Sequence, residues 1–187
     1  MKTPLKEIKS QDRIVWLTQP KEVADFLEKT KNAFDIAKGK LEDSNGNVEI
    51  VMQTAEAFGR GLFAEHVGDK SKEWTMKEWL ESVSEQIFNP LGTGVTFTKI
   101  TDEEADSLMF RSLLHEDKGD PHMASLFTYG FVRGMFLSAF PDGEILMKST
   151  MAQGAPMTKF VFKTDAAIDD RFERERVKTL FTTMKKE

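Results

Sequence analysis

The side chains best suited to chemistry lie between His115 and His122, in the order His-Glu-Asp-Lys-Gly-Asp-Pro-His. Imidazoles and carboxylates this close together are typical of acid–base catalysis and of zinc binding. Their spacing matches no standard zinc motif, however, and Asp120 before Pro121 is the usual start of a helix. We therefore predict no metal site, and we take His122 and Glu116 as the candidate catalytic residues in an otherwise solvated loop.

The composition excludes several classes of function. The chain has no cysteine, which rules out disulfides, thiol catalysis and cysteine-ligated zinc or iron–sulfur sites. Its formal net charge of −5 repels phosphate backbones, and the basic residues are interspersed with acidic ones instead of forming a stripe. The sequence has no nucleophile elbow, Walker loop, dinucleotide fingerprint or zinc-protease motif. We expect no cofactor and no nucleic-acid partner.

The apolar residues are unusual in kind. Fifteen Phe, ten Met and three Trp stand against one Tyr, so we expect an interior of large, adaptable side chains. This composition is typical of a tightly packed core and also of a core that leaves room for an irregular apolar ligand. In the second case, we expect the cavity to be lined by Phe58, Phe63, Phe127, Phe131 and Met147.

The first half of the chain predicts three helices. Apolar residues at helical spacing indicate a helix from Lys21 to Leu41 and another from Val48 to His66, with turn-forming residues between them. Because glycine weakens a helix, Gly59 and Gly61 predict that another backbone or a ligand approaches closely there. The segment Thr75 to Glu78 has the pattern of a capping box and predicts the start of the third helix.

A hairpin, a helix and a second hairpin are predicted to follow. Asn89 to Gly94 ends the third helix, and strands from Val95 to Ile100 and from Ser107 to Leu114 flank a polar turn. Asp120 caps a helix that runs to Phe140. The second hairpin pairs alternating runs over residues 144–151 and 157–163, and a final helix carries an apolar stripe of Val177, Leu180, Phe181 and Met184.

This order of elements predicts an α+β fold, with an antiparallel sheet made of two hairpins and helices packed on one side. At 187 residues we expect one domain over residues 21–165, with an N-terminal extension (1–20) and a C-terminal helix (166–187). The sequence around Arg60-Gly61 recurs at Arg133-Gly134, and Gly130 lies one helical turn before Gly134. No strand leads into either motif, so we interpret them as a close helix crossing and not as a phosphate loop.

Four glycine-containing segments resemble the 4-vinyl reductase domain family over roughly residues 45–163. They are Phe58–Gly61, Asn89–Gly94, Tyr129–Gly134 and Thr150–Phe160. The resemblance implies the ligand-binding fold of nitric-oxide-signalling and Golgi-transport proteins, and a small-molecule sensor or binding domain. The last segment is also similar to the 2-amino-thiazoline-4-carboxylate hydrolase family.

The chain departs from both families at the end of that segment. Their cysteines beside the last glycine are replaced by Thr150 and Thr158, and the nearby acidic residue is replaced by Met147. A thiol or metal role therefore does not carry over, because threonine is not a soft metal ligand. We retain Thr150 and Thr158 as candidate ligand-binding residues.

Three functions stay open at this point. The first is a binding or sensory domain for a small apolar ligand, the second a hydrolase of a small heterocyclic or amide substrate, and the third a tethering module that dimerises. We expect the protein to form a homodimer. We also expect a cytoplasmic protein without a membrane span, because the N-terminal residues lack an apolar signal core and no run reaches about 18 apolar residues.

Overall fold

A computed structural model describes residues 8–9, 20–68, 72–111, 113–114, 120–165, 173 and 175–178 of the protein. In these ranges the helices are α1 (Pro20–Asp43), α2 (Glu49–His66), α3 (Met76–Val83), α4 (Asn89–Leu91) and α5 (Pro121–Ala139). The strands are β1 (Ile8–Lys9), β2 (Val95–Thr98), β3 (Glu104–Met109), β4 (Glu144–Ser149) and β5 (Thr158–Lys163). A π-helical segment (Ser84–Phe88) joins α3 to α4, and a 3-10 turn (Met151–Gln153) lies between β4 and β5.

The described strands form one antiparallel sheet in the order β1-β2-β3-β5-β4. Both predicted hairpins are present, since β2 pairs with β3 and β4 with β5. The two hairpins are joined through β3 and β5, with Ser107 opposite Phe160. The predicted α+β fold with a sheet built from two hairpins is confirmed.

The helices lie against the face of the sheet that carries its aromatic side chains. Alternation along β5 places Phe160 and Phe162 on one face. The ring of Phe162 lies 5.3 Å from Trp79 of α3 and 5.2 Å from Phe136 of α5, measured between centroids. The ring of Phe160 stacks on Tyr129 of α5 at 6.5 Å. The core between sheet and helices is therefore built largely from the phenylalanines noted in the composition.

Glycines bring the backbones of α2 and α5 into close contact, as predicted. A Cβ atom at Gly59 would collide with the carbonyl of Phe131, and one at Gly134 would collide with the carbonyl of Glu56. A Cβ at Gly130 would lie 2.6 Å from the carbonyl oxygen of Met52. Each of these positions excludes any larger residue without a shift of the facing backbone.

The same prediction is wrong for Gly61. A Cβ atom there would have no heavy-atom neighbour within 4 Å, and the residue is exposed. Two residues along a helix correspond to about 200° of rotation, so Gly61 faces away from α5 when Gly59 faces it. Of Gly59 and Gly61, only Gly59 therefore lies at the close contact between α2 and α5.

Two helix starts agree with their local sequence signals. The hydroxyl of Thr75 accepts from the backbone N–H of Glu78 at 3.2 Å, and the Thr75 N–H donates to the Glu78 carboxylate at 3.1 Å. These bonds, together with Lys72, hold the pKa of the Glu78 carboxyl below its usual value. The Asp120 carboxylate accepts from the N–H of His122 at 2.9 Å and caps α5.

Several predicted boundaries need correction. Strand β3 begins at Glu104 and not at Ser107, because Thr101 closes a tight turn in which its hydroxyl accepts from the Glu104 N–H at 2.8 Å. The helical backbone also continues past Asn89. Pro90 lies at the start of α4, where a missing N–H is tolerated, and the chain leaves the helix at Gly92 in the left-handed conformation.

Described residues on both sides of the predicted domain (21–165) also contact it. Ile8, which belongs to the predicted N-terminal extension (1–20), lies opposite Phe97 in the sheet. Val177, in helical backbone over residues 175–178, is fully buried in the core. The other members of the predicted C-terminal stripe, Leu180, Phe181 and Met184, lie outside the described residues.

Candidate functional site

Aromatic rings from α1, α2 and α5 meet in one cluster. Phe58 of α2 lies 5.6 Å from Phe131 and 6.3 Å from Phe127, both of α5, measured between ring centroids. Phe34 of α1 contacts Phe127 edge-to-face at 5.3 Å. Phe34, Phe127 and Phe131 are buried, whereas Phe58 is only partly buried. We call these four residues the aromatic cluster.

The helices α2 and α5, which form one side of the aromatic cluster, are held together by a buried ion pair. Next to their glycine contacts, Arg133 Nη1 lies 2.7 Å from Glu56 Oε1. The two side chains are only 6% and 12% exposed, so solvent screens this ion pair weakly. Close backbone packing and a buried ion pair therefore join α2 and α5 into one unit.

The other wall, α1, is held more loosely. Lys29 Nζ forms an ion pair with Glu65 Oε1 at 2.9 Å, and both side chains are about half exposed. This hydrogen bond holds the pKa of the Glu65 carboxyl below its usual value. The Phe26 ring lies 4.6 Å from the His66 ring. Water screens such a surface ion pair, so side-chain packing is the main attachment of α1.

Two other candidate lining residues lie apart from the aromatic cluster. Phe63 is buried against Trp74, with the ring centroids 5.5 Å apart. Met147 lies in β4, opposite Phe160 of β5. The structure brings together Phe58, Phe127 and Phe131, and a binding role for Phe63 and Met147 stays a prediction.

The two threonines at the family cysteine positions have local hydrogen-bond partners. Thr150 Oγ1 lies 2.8 Å from Ser125 Oγ of α5 and accepts from the Ala152 N–H at 3.3 Å. Thr158 Oγ1 accepts from the Met151 N–H at 3.3 Å. These bonds stabilise the 3-10 turn between β4 and β5 and attach it to α5. A contact of Thr150 or Thr158 with a ligand stays a prediction.

Of the candidate catalytic residues His122 and Glu116, the structure describes only His122. His122 lies in the first turn of α5 with a partly buried side chain. Glu116 lies outside the described residues. Within the described ranges, no three His, Asp or Glu side chains are grouped so that they could hold a metal ion.

A solved structure matches this arrangement of sheet and helices. It is subunit 3 of a trafficking protein particle complex from Naegleria fowleri, covalently bound to palmitic acid. The match has a TM-score of 0.53 and 13% identity, and it covers 75% of this chain and 95% of that one. The two chains share a fold. No family model and no curated protein matches the sequence.

The shared fold with the trafficking subunit agrees with the predicted resemblance to a Golgi-transport fold, and at this identity it bears on the fold alone. In the part of the chain that is described, no helix is long and apolar enough to cross a membrane.

Sequence reasoning missed two components of the site. Phe34 was overlooked because it lies in the first helix, before the segment that carries the family resemblance. Its signal was an aromatic residue on the apolar stripe of that helix. The Glu56–Arg133 pair was overlooked because its members are far apart in sequence, although an arginine within the apolar run of α5 indicated a buried partner.

Proposed function

We propose that this domain binds a small apolar ligand, an acyl chain or an aromatic molecule, between α1 and the α2–α5 pair. The observation that carries the proposal is the aromatic cluster, in which rings from all three helices meet and Phe58 remains partly exposed. Apolar and aromatic side chains are the usual lining of small-molecule sites. The trafficking subunit of the same fold, which is bound to palmitic acid, supports an acyl chain as one ligand class.

The unequal attachment of the two walls suggests how a ligand enters. Moving α2 away from α5 would break the glycine contacts and separate Arg133 from Glu56. Moving α1 would break apolar packing at Phe34 and the exposed contact of Lys29 with Glu65. Both motions expose apolar side chains, but only the first separates a buried charge from its partner. In our proposal α1 shifts outward while α2 and α5 stay in place.

The proposed binding is noncovalent. Acyl chains are attached to protein side chains mainly as thioesters of cysteine. This chain has no cysteine, so that linkage cannot form. A bound acyl chain would therefore exchange with solvent and leave the protein on denaturation.

A titration with a fluorescent sixteen-carbon fatty acid tests the proposal. We expect saturable binding at one site per chain in the wild type. Phe58→Asp places a carboxylate at the partly exposed side of the aromatic cluster, and we expect it to weaken binding by at least about tenfold, because an apolar ligand would desolvate that charge.

The matched control is Phe110→Asp, since Phe110 is 48% exposed and directly follows β3, outside the aromatic cluster. We expect this variant to bind as the wild type does. Glu116→Gln and His122→Ala should also leave binding intact. Non-saturable binding, or equal losses in Phe58→Asp and Phe110→Asp, would contradict the proposal, and a loss confined to the Glu116 or His122 variant would favour the hydrolase.

A further inference from the structure

Two buried polar side chains lie in the segment that joins α3 to α4. Ser84 begins the π-helical segment and Asn89 begins α4, and they are only 3% and 6% exposed. Among the described residues, neither Ser84 Oγ nor Asn89 Oδ1 has a hydrogen-bond partner. Buried polar atoms are nearly always hydrogen-bonded, so these two are exceptions within the core. We call Ser84 and Asn89 the polar pair.

Other buried or partly buried hydroxyls in the helices of this protein bond to their own helix. Thr30, Thr128 and Ser138 each donate to the carbonyl oxygen four residues earlier, at 2.8 Å. Ser84 also has helical backbone and a full helical turn before it, yet its hydroxyl makes no such bond. A buried hydroxyl that does not use the usual local acceptor is available to a partner from outside the helix.

The π-helical backbone places the two members of the polar pair on successive turns. The Asn89 N–H donates to the Ser84 carbonyl, so the two residues lie one turn apart along the segment. Short π-helical segments are rare and are frequently found at functional sites. Together, a hydroxyl and a carboxamide supply hydrogen-bond donors and acceptors without carrying a charge.

The segment packs on the two helices that carry one ring each of the aromatic cluster. The π-helical segment contacts α2, which carries Phe58, and α4 contacts α1, which carries Phe34. Phe88 faces the sheet, with its ring 6.1 Å from that of Phe97. Asn89 is turned by about 100° from Phe88 around the helix axis. A buried side chain that is turned away from the sheet faces the helices packed on the segment.

We propose that the polar pair binds the uncharged polar end of the ligand whose apolar part lies at the aromatic cluster, an inference that rests on the proposed function. Ser84 and Asn89 can each donate and accept, which suits the hydroxyl group of an alcohol or an amide group. An ionised end group would be buried beside uncharged partners, which is unfavourable. The ligand class is therefore a long-chain alcohol or an acyl amide.

Displacement of the fluorescent fatty acid by two twelve-carbon ligands tests the polar pair. Dodecan-1-ol ends in a hydroxyl group, and 1-chlorododecane has nearly the same length but cannot donate a hydrogen bond. A purely apolar site favours the chloride, because the hydroxyl would lose its hydrogen bonds to water. If the polar pair bonds to the hydroxyl, the order is reversed. We expect the wild type to bind the alcohol at least about tenfold more tightly than the chloride.

The double variant Ser84→Ala/Asn89→Leu should bind the chloride more tightly than the alcohol, because the groups that bond to the hydroxyl are gone. The matched control is Ser138→Ala, which removes a helical hydroxyl that is already bonded to the Gly134 carbonyl. We expect this control to keep the wild-type preference for the alcohol.

A wild type that prefers the chloride would overturn the proposal, and so would an unchanged preference in the folded double variant. If circular dichroism shows that the double variant is unfolded, Ser84→Ala decides. A smaller preference for the alcohol in Ser84→Ala supports the proposal, and a wild-type preference overturns it. Saturable binding of the fluorescent fatty acid together with a preference for the chloride overturns this proposal alone. Absence of saturable binding overturns the proposed function as well.

Discussion

At the scale of single residues, the buried Arg133–Glu56 pair distinguishes this core from an ordinary apolar one. Arg133→Ala removes the cation next to a carboxylate that is only 12% exposed. Breaking a buried ion pair on one side typically lowers the free energy of unfolding by about 3–5 kcal/mol. We expect a loss of that size for Arg133→Ala in urea denaturation.

The double variant Arg133→Met/Glu56→Leu is the control for this effect. Replacing both charges by apolar side chains of similar length avoids a buried charge, so we expect the double variant to be more stable than Arg133→Ala. A double variant that is less stable than Arg133→Ala would contradict this expectation. It would show that the Arg133–Glu56 pair stabilises the fold by more than the pairing of its charges.

Local residue signals could be predicted from the sequence, and long-range partners could not. Thr75 and Asp120 were identified as caps because the groups they bind lie within three residues along the chain. Phe34 and Phe127 are 93 positions apart in the numbering, and nothing local in the sequence states that they touch. The aromatic cluster was therefore predicted only in the part supplied by α2 and α5.

At the scale of elements, the crossing of α2 and α5 is the most demanding contact. Gly134→Leu would place a side chain where even a Cβ collides with the carbonyl of Glu56. Overpacking of this kind typically lowers stability by about 1–3 kcal/mol or more, because the facing backbone must shift. We expect the Gly134→Leu variant to melt at a clearly lower temperature than the wild type.

Gly61→Ala is the matched control on the facing helix. Gly61 is exposed and a Cβ there meets nothing within 4 Å, so alanine should raise the free energy of unfolding by about 0.5–1 kcal/mol. Equal effects of the two substitutions would contradict the close crossing.

The existence of elements was easier to predict than their limits. Periodicity indicated α1, α2, α5 and both hairpins, because one face of each must be buried. The start of β3 was placed three residues late because Glu104, although exposed and polar, pairs with Lys163 in the sheet. Its pairing depends on Lys163 of β5, 59 positions later in the numbering, and not on its own side chain.

At the scale of the whole molecule, the predicted homodimer remains to be tested. Ile36 is 54% exposed on α1, which is an uncommon position for a large aliphatic side chain in the middle of a long helix. We expect sedimentation at tens of micromolar to show a dimer of the wild type, and Ile36→Glu to shift it towards monomer. A wild type that sediments only as a monomer would contradict the predicted homodimer.

Native mass spectrometry of the protein incubated with palmitic acid shows whether the domain holds an apolar ligand without a covalent bond. We expect a complex of one palmitate per chain that is present under native conditions, reduced in Phe58→Asp, retained in Phe110→Asp, and lost when the protein is denatured. A wild-type spectrum with no bound palmitate, or with an adduct that survives denaturation, would contradict this expectation.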